Sequence, residues 1–284
     1  MITVEEFTKI DNEVQNAIRE AFEYGRNHEK DKNDFYLFLC NATYRKNENP
    51  KWNPYLIGDA KDVLLDRDRF DSLTKYLKKN YSFVLSNTSD SNESLVIEMR
   101  MYTHIWESKN FLKKLKRLFD LCNGDEYDWI CKIPDSNPKN KDKSNPREKD
   151  SKQAFIRDII RDGFKAKSLK MSNIITNGYR SQLRNAFAHS DYSFSPNEDK
   201  ISLHNYKPKG YEVKSVTINE WTSLFCHSFL LNYHFHNYYY EERKKIDKPI
   251  EVFLKNKDGE KKKGIIEYDN ERYSFSRVNA RKYK

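Results

Sequence analysis

Residues that interrupt regular structure are scarce in this chain. Its 284 residues include eight glycines and eight prolines, which argues for long regular elements, mostly helices. No run of eighteen apolar residues occurs, so no transmembrane helix is expected. The four cysteines, at positions 40, 122, 131 and 226, form no Cys-x-x-Cys pair, and neither a zinc site nor a disulfide framework is supported. Cys122 and Cys226 read as small hydrophobes within helical patterns, and His234 and His236, two apart on a helix, diverge too far to share a ligand. The chain opens into an amphipathic helix rather than a charged-then-apolar leader. A soluble, cytoplasmic protein with no metal and no cofactor is the expectation.

Charge and aromatic residues are plentiful. Charged residues make up 33% of the chain and the mean hydropathy is −0.98, which implies a heavily solvated surface over thin helical layers. Hydrophobic residues at 37%, with 17 Phe and 19 Tyr, are enough for a core. The net charge of +9 is uneven: residues 139–170 hold eleven Lys/Arg against five Asp/Glu, and residues 241–284 hold fourteen against nine. Basic surfaces of this kind suit a phosphate backbone. A genome biased toward lysine and asparagine gives the same composition, so the charge is consistent with RNA without indicating it.

Periodicity predicts a helix over 4–28 (Val4, Phe7, Ile10, Val14, Ala17, Ile18, Ala21, Phe22) and a short aromatic helix within 35–44 before a turn region at Pro50 and Pro54. A further helix is expected over 59–79, then a polar stretch at 86–92 ending in a capping signal. One long helix over 94–121 buries Ile105, Leu112, Leu115, Leu118, Phe119 and Cys122. Residues 134–150 read as a solvated loop, followed by a helix over 152–167 buried through Phe155, Ile156, Ile159, Ile160 and Phe164. The next helix is expected over 172–190, then a hairpin of 201–206 with 211–218 around Pro208-Lys209-Gly210. An aromatic helix covers 219–244 and suits a central position or a dimer interface. Three strands at 251–255, 263–268 and 272–277 close the chain, with Asp258-Gly259 as a hairpin turn.

The most informative segment is Leu183-Arg184-Asn185-Ala186-Phe187-Ala188-His189-Ser190-Asp191-Tyr192. Leu183, Ala186 and Phe187 mark a buried helix face, and Asn185, His189 and Tyr192 fall at i, i+4 and i+7 on another. This Arg-x4-His segment, with a polar residue directly after the arginine, resembles the signature of the HEPN superfamily, whose members are helical, usually dimeric ribonucleases and nucleotide-binding proteins. The stretch His104-Ile105-Trp106-Glu107-Ser108-Lys109-Asn110-Phe111-Leu112 resembles the second helix of some members. The likeness covers at most residues 91–245.

Residues five apart on a helix diverge by roughly 140°, so either the long Arg184 side chain curls back toward His189 or a second copy of the helix completes the site. The resemblance implies the second arrangement, a two-fold dimer whose paired motif helices line one cleft. It implies metal-independent cleavage of RNA with the ribose 2′-hydroxyl as nucleophile. His189 would move protons, Arg184 would hold the scissile phosphate, and Asn185 would donate to a phosphate oxygen or orient the imidazole. Tyr192 would stack on a base or cap the core. Glu107 would pair with Arg184 or orient it. The plainer reading makes Arg184 a solvated surface charge, His189 a helix-end residue and Glu107 a surface carboxylate.

The expected fold is mainly α: a HEPN-like bundle at 91–245 with its loop at 134–150, an N-terminal helical extension at 1–90, a short β-hairpin insertion and a basic β-meander at 246–284. The expected function is a homodimeric endoribonuclease acting on RNA in antiviral defence or as a toxin, with a possible regulatory partner and no membrane association. The alternative is a non-catalytic HEPN-like module that binds RNA, nucleotides or a partner protein.

Overall fold

The N-terminal helix shows how local chemistry sets an element here. Thr3 caps α1 (Val4–His28): its hydroxyl accepts from the Glu6 amide at 3.1 Å, and the Glu6 carboxylate accepts from the Thr3 amide at 2.7 Å. Such a reciprocal box satisfies two of the donors that a helix start leaves open. The expected apolar stripe from Phe7 to Phe22 is buried. The computed structural model describes residues 2–44, 54–58, 71, 75, 91–134, 151–195, 199–206, 212–255, 259–271 and 274–278, without the side chains of 91–94, 195 and 278.

After α1 come α2 (Asp34–Leu39), the short pair β1 (Thr43–Tyr44) and β2 (Tyr55–Leu56), then α3 (Ser91–Glu107) and α4 (Lys109–Asn123). The helix expected over 59–79, the loop expected over 134–150 and the Pro208-Lys209-Gly210 turn lie wholly or mostly outside the described residues. The single helix expected over 94–121 is two. Ser108 adopts an extended conformation and its hydroxyl accepts from the Phe111 amide at 3.3 Å, so it caps a new helix. That break leaves Glu107 as the last residue of α3.

Helix α5 runs over 152–166, with short α-helical ends at Lys152–Ala154 and Asp162–Ala166 around a π-helical centre at Phe155–Arg161. Bonding from i to i+5 shifts the phase of the buried stripe. Phe155, Ile156, Ile160 and Phe164 face the core as expected, while Ile159 is turned outward. The helix expected over 172–190 is also two, α6 (Met171–Gly178) and α7 (Ser181–His189). Tyr179 and Arg180 between them are extended. The buried Tyr102 hydroxyl secures this link, accepting from the Arg180 amide at 2.9 Å and donating to its carbonyl at 3.2 Å.

Helix α7 stops at His189 because Ser190 takes a left-handed conformation, φ 59°. Tyr192 therefore begins a strand rather than a third helical turn. The expected hairpin is a three-stranded antiparallel sheet, β3 (Tyr192–Ser195), β4 (Lys200–Leu203) and β5 (Ser215–Thr217), in sequential order. Thr217 and Glu220 then form a second capping box for α8 (Ile218–Lys244). The three C-terminal strands are present as β6 (Ile250–Lys255), β7 (Lys261–Asp269) and β8 (Ser274–Val278), antiparallel in register Ile250 with Ile266 and Ile266 with Arg277.

Helix α8 packs against α1, α3 and α6, and α1 also packs against α4. One hydrophobic cluster runs from Phe7 through Trp106, Trp221 and Phe235 to Phe275, so α1 and the C-terminal sheet share the core of the helices between them. At its centre Trp106 Nε1 donates to Ser228 Oγ at 3.0 Å, and Ser228 Oγ donates to the Gly178 carbonyl. No described helix is long and apolar enough to cross a membrane.

Two outcomes follow for stability. A Cβ at Gly178 would lie 3.0 Å from the Ser228 amide nitrogen and 3.1 Å from its hydroxyl. Gly178→Ala is expected to lower stability by about 1–3 kcal/mol in denaturant unfolding, the usual cost of overpacking. Burial pushes the Asp34 carboxyl up to about 7 against its amide donors Asp31 and Tyr127. Its native pKa lies above the unfolded value, so its contribution is full below the unfolded pKa and is lost as pH rises through about 7. Asp34→Asn should flatten the fall in stability between roughly pH 4 and pH 7.

Candidate functional site

The site forms where the end of α3, the start of α5, the α6–α7 link and α7 meet. On α7 the residues Gln182, Leu183, Arg184, Ala186 and Phe187 are buried, Ser181 and Asn185 are half-buried, and Ala188 and His189 are exposed. At 100° per residue, Ser181, Asn185, Ala188 and His189 share one open arc of about 100°. Arg184 lies beyond one rim of that arc and His189 forms the other. Helix α7 is held from behind: it packs on α3, and Phe187 contacts the rings of Tyr102 and Trp221 at 6.0 and 4.9 Å. Its start is tied to the neighbouring sheet segment by Gln182, which receives from the Val213 amide at 2.9 Å and donates to the Val213 carbonyl at 2.8 Å.

Arg184 is not a solvated surface charge. It is 7% exposed, and its Nη1 donates to Glu107 Oε1 at 2.5 Å. The other oxygen of Glu107 accepts from Lys152 Nζ. Lys152 is 4% exposed, whereas the Glu107 side chain is 32% exposed. Two enclosed cations thus share one half-open carboxylate. Glu107, read from sequence as a supporting residue, is paired with Arg184.

Tyr179 adds a fourth group. Burial raises its phenol above the ordinary range, opposed by the nearby Arg184 guanidinium. The hydroxyl lies within hydrogen-bonding reach of that guanidinium, and both Tyr179 Oη and Arg184 Nε are enclosed. The Tyr179 ring rests against Trp106 at 4.8 Å.

His189 stands apart from this cluster in the single chain. It is the exposed last residue of α7. Asn185 sits on the same open arc, one turn earlier. Tyr192, half-buried on β3, packs edge-on against Phe187 at 5.4 Å and Phe194 at 5.6 Å, so its ring serves the core beneath α7. The fold brings Arg184 and Glu107 together and leaves His189, Asn185 and Tyr192 outside that cluster.

Lys152 and Tyr179 were not legible from sequence as site residues. Lys152 sits in a basic stretch and Tyr179 in a helix–helix link, and neither position has a motif. The signal was their neighbours: Tyr179 follows Gly178 at the close crossing with α8, and Lys152 follows Ser151, whose hydroxyl caps α5 at the Ala154 amide, 3.1 Å. Among the described residues no group of three or more His, Cys, Asp or Glu is placed to hold a metal ion. A surface groove of about 440 Å³ lies elsewhere, along α1 at Arg19, Glu20, Glu23, Tyr24 and His28, with Lys170 also lining it.

Removing members of the cluster should have unequal costs. Glu107→Ala strands two enclosed cations and should cost on the order of 3 kcal/mol. Arg184→Met leaves Glu107 balanced by Lys152 and should cost about 1 kcal/mol. Urea unfolding of the two variants checks the order; a larger loss for Arg184→Met would show that Lys152 does not balance the carboxylate. No family model matches the chain, and no curated protein or solved structure matches it either.

Proposed function

We propose that the protein is a metal-independent endoribonuclease of the HEPN type that acts as a homodimer. The observation that carries this reading is the open arc of α7, with an exposed imidazole at one rim and the enclosed Arg184 just beyond the other. Their divergence of roughly 140° on one helix keeps them from meeting on the same chain. Two copies paired side by side across this arc, with a two-fold axis parallel to α7, set the imidazole of each against the guanidinium rim of the other. An isologous interface makes two such sites at once.

In each site the RNA supplies its own nucleophile. The 2′-oxygen forms a bond to the adjacent phosphorus as its proton passes to His189. The bond to the 5′-oxygen breaks, that oxygen takes a proton, and the products carry a 2′,3′-cyclic phosphate and a 5′-hydroxyl. A histidine can accept and return a proton near neutral pH. Arg184 holds the negative charge that builds on the phosphorane-like transition state, and Asn185 donates to a phosphate oxygen or orients the imidazole. The HEPN resemblance extends the proposal to a cytoplasmic defence or toxin-like effector under the control of a partner.

A second reading is favoured by one specific observation. Arg184 is largely enclosed and its Nη1 is committed to Glu107, as suits a non-catalytic module that binds RNA, nucleotides or a protein across the same face. His189→Ala separates the two. His189 is exposed and its side chain has no hydrogen bond to the described residues, so the variant should fold and associate like the parent. RNA cleavage should fall by roughly 10²- to 10⁴-fold, the usual contribution of general acid–base catalysis, and cleavage by the parent should survive a chelator. Cleavage that persists in the variant overturns the mechanism, and a parent without cleavage leaves the binding module.

A further inference from the structure

The proposed cleavage moves two protons on opposite sides of phosphorus, since the attacking and leaving oxygens of an in-line displacement lie across it from each other. His189 serves one of those oxygens, and the chain places another imidazole close by. Ser190 turns left-handed, φ 59°, so α7 gives way to β3 within three residues of His189. Asp191, in between, accepts from the His204 amide at 2.8 Å. The register of β3 with β4, Tyr192 opposite Leu203, sets His204 directly across from Asp191. Two chain steps span at most about 7 Å and a cross-strand pair about 5.5 Å, which keeps the Cα atoms of His189 and His204 within about 13 Å. Both residues are exposed, whereas the other histidines lie on α1, α3 and α8.

The His204 ring is held at one end. Its Nε2 lies 3.0 Å from the Ser193 hydroxyl, diagonal to it across the strand pair. Its Nδ1 has no hydrogen bond to the described residues. Tyr192 and Phe194 alternate with Ser193 and pack toward Phe187 and the core. Asp191, Ser193 and His204 therefore share the outer face of the sheet. An imidazole oriented through one nitrogen, with the other open, is placed to pass a proton.

We propose that His204 is the general acid of the cleavage, an assignment that rests on the ribonuclease reading and adds a residue outside the Arg-x4-His motif. As the 2′-oxygen bonds to phosphorus and its proton passes to His189, the bond from phosphorus to the 5′-oxygen breaks. The His204 imidazolium gives that oxygen the proton on Nδ1, while its Nε2–H donates to Ser193 Oγ. The step leaves His189 protonated, His204 neutral, a 2′,3′-cyclic phosphate and a 5′-hydroxyl. Exchange with water returns both rings to their starting forms. Ser193 is a positioning residue that fixes the ring without touching RNA. Each site of the dimer then draws both histidines from one copy and Arg184 from the other.

The test compares two leaving groups with the full chain. Both probes are oligoribonucleotides methylated at every 2′-oxygen but one, with all four bases mixed at that position. The bridging 5′-atom beside the free hydroxyl is oxygen in one probe and sulfur in the other. A thiol titrates far below an alcohol, at about 8.5 for a cysteine, so the thiolate departs without a proton and only the oxygen probe needs the acid. His204→Ala should cut cleavage of the oxygen probe by roughly 10²- to 10⁴-fold while the sulfur probe is still cleaved at close to the parent rate. His189→Ala should depress both. Ser193→Ala should slow the oxygen probe alone, and by less, and Ser193→Thr, which keeps the hydroxyl, should restore it. Equal losses on the two probes in His204→Ala, or loss on neither, overturn His204 as the acid, while dependence on His189 retains the ribonuclease. A parent that cleaves neither probe, or cleavage indifferent to His189, removes the ribonuclease and the acid with it.

Discussion

A three-membered chain of hydrogen-bonding groups in the core sets the position of everything at the candidate site. Trp106 donates to Ser228, and Ser228 donates to the carbonyl of Gly178. It joins α3, α8 and α6 at one point where no water is available to substitute. Each outer member stands next to a site residue: Glu107 follows Trp106, and Tyr179 follows Gly178. The absence of a side chain at Gly178 lets α6 approach the α8 backbone closely enough for the carbonyl to be reached. Apolar packing of Tyr102, Phe187 and Trp221 then holds α7 in register with the same core. The polar cluster inherits its geometry from apolar and hydrogen-bonded packing behind it.

That dependence matters because ion pairs of this kind position groups more than they stabilise them. Bringing charges out of water costs about as much as their mutual attraction returns, unless the remaining polar atoms are also satisfied. At Glu107 the two cations take one carboxylate oxygen each, and the Arg184 guanidinium also has the Tyr179 hydroxyl beside it. Two cations on one carboxylate hold the end of α3, the start of α5 and helix α7 in one arrangement.

Much of the fold was legible in the sequence. The stripe on α1, the aromatic length of α8 and the three closing strands follow from periodicity and capping residues, which act over a few positions. The breaks were not legible. Ser108 fits within a helix by propensity, yet it caps a new one here because its hydroxyl meets the Phe111 amide. The α6–α7 link is extended because a buried phenol seventy-odd positions earlier, that of Tyr102, takes both backbone groups of Arg180. The π-helical turn of α5 turned Ile159 outward for the same kind of reason, since tertiary packing rather than local pattern decides its phase.

The candidate site divides along the same line. By itself the sequence determined that a helix with Arg184, Asn185 and His189 would bury Leu183, Ala186 and Phe187, because i, i+3 and i+4 spacing is a property of the helix alone. Only the tertiary structure decided that Arg184 is enclosed, that its partner is Glu107, and that Lys152 and Tyr179 complete the group. Those four residues come from separate parts of the chain, and their meeting depends on how α3 and α6 pack on α8, α5 on α6 and α7 on α3. Periodicity carries no information about contacts between elements distant in the chain, and burial of a charge depends on what the rest of the fold places above it.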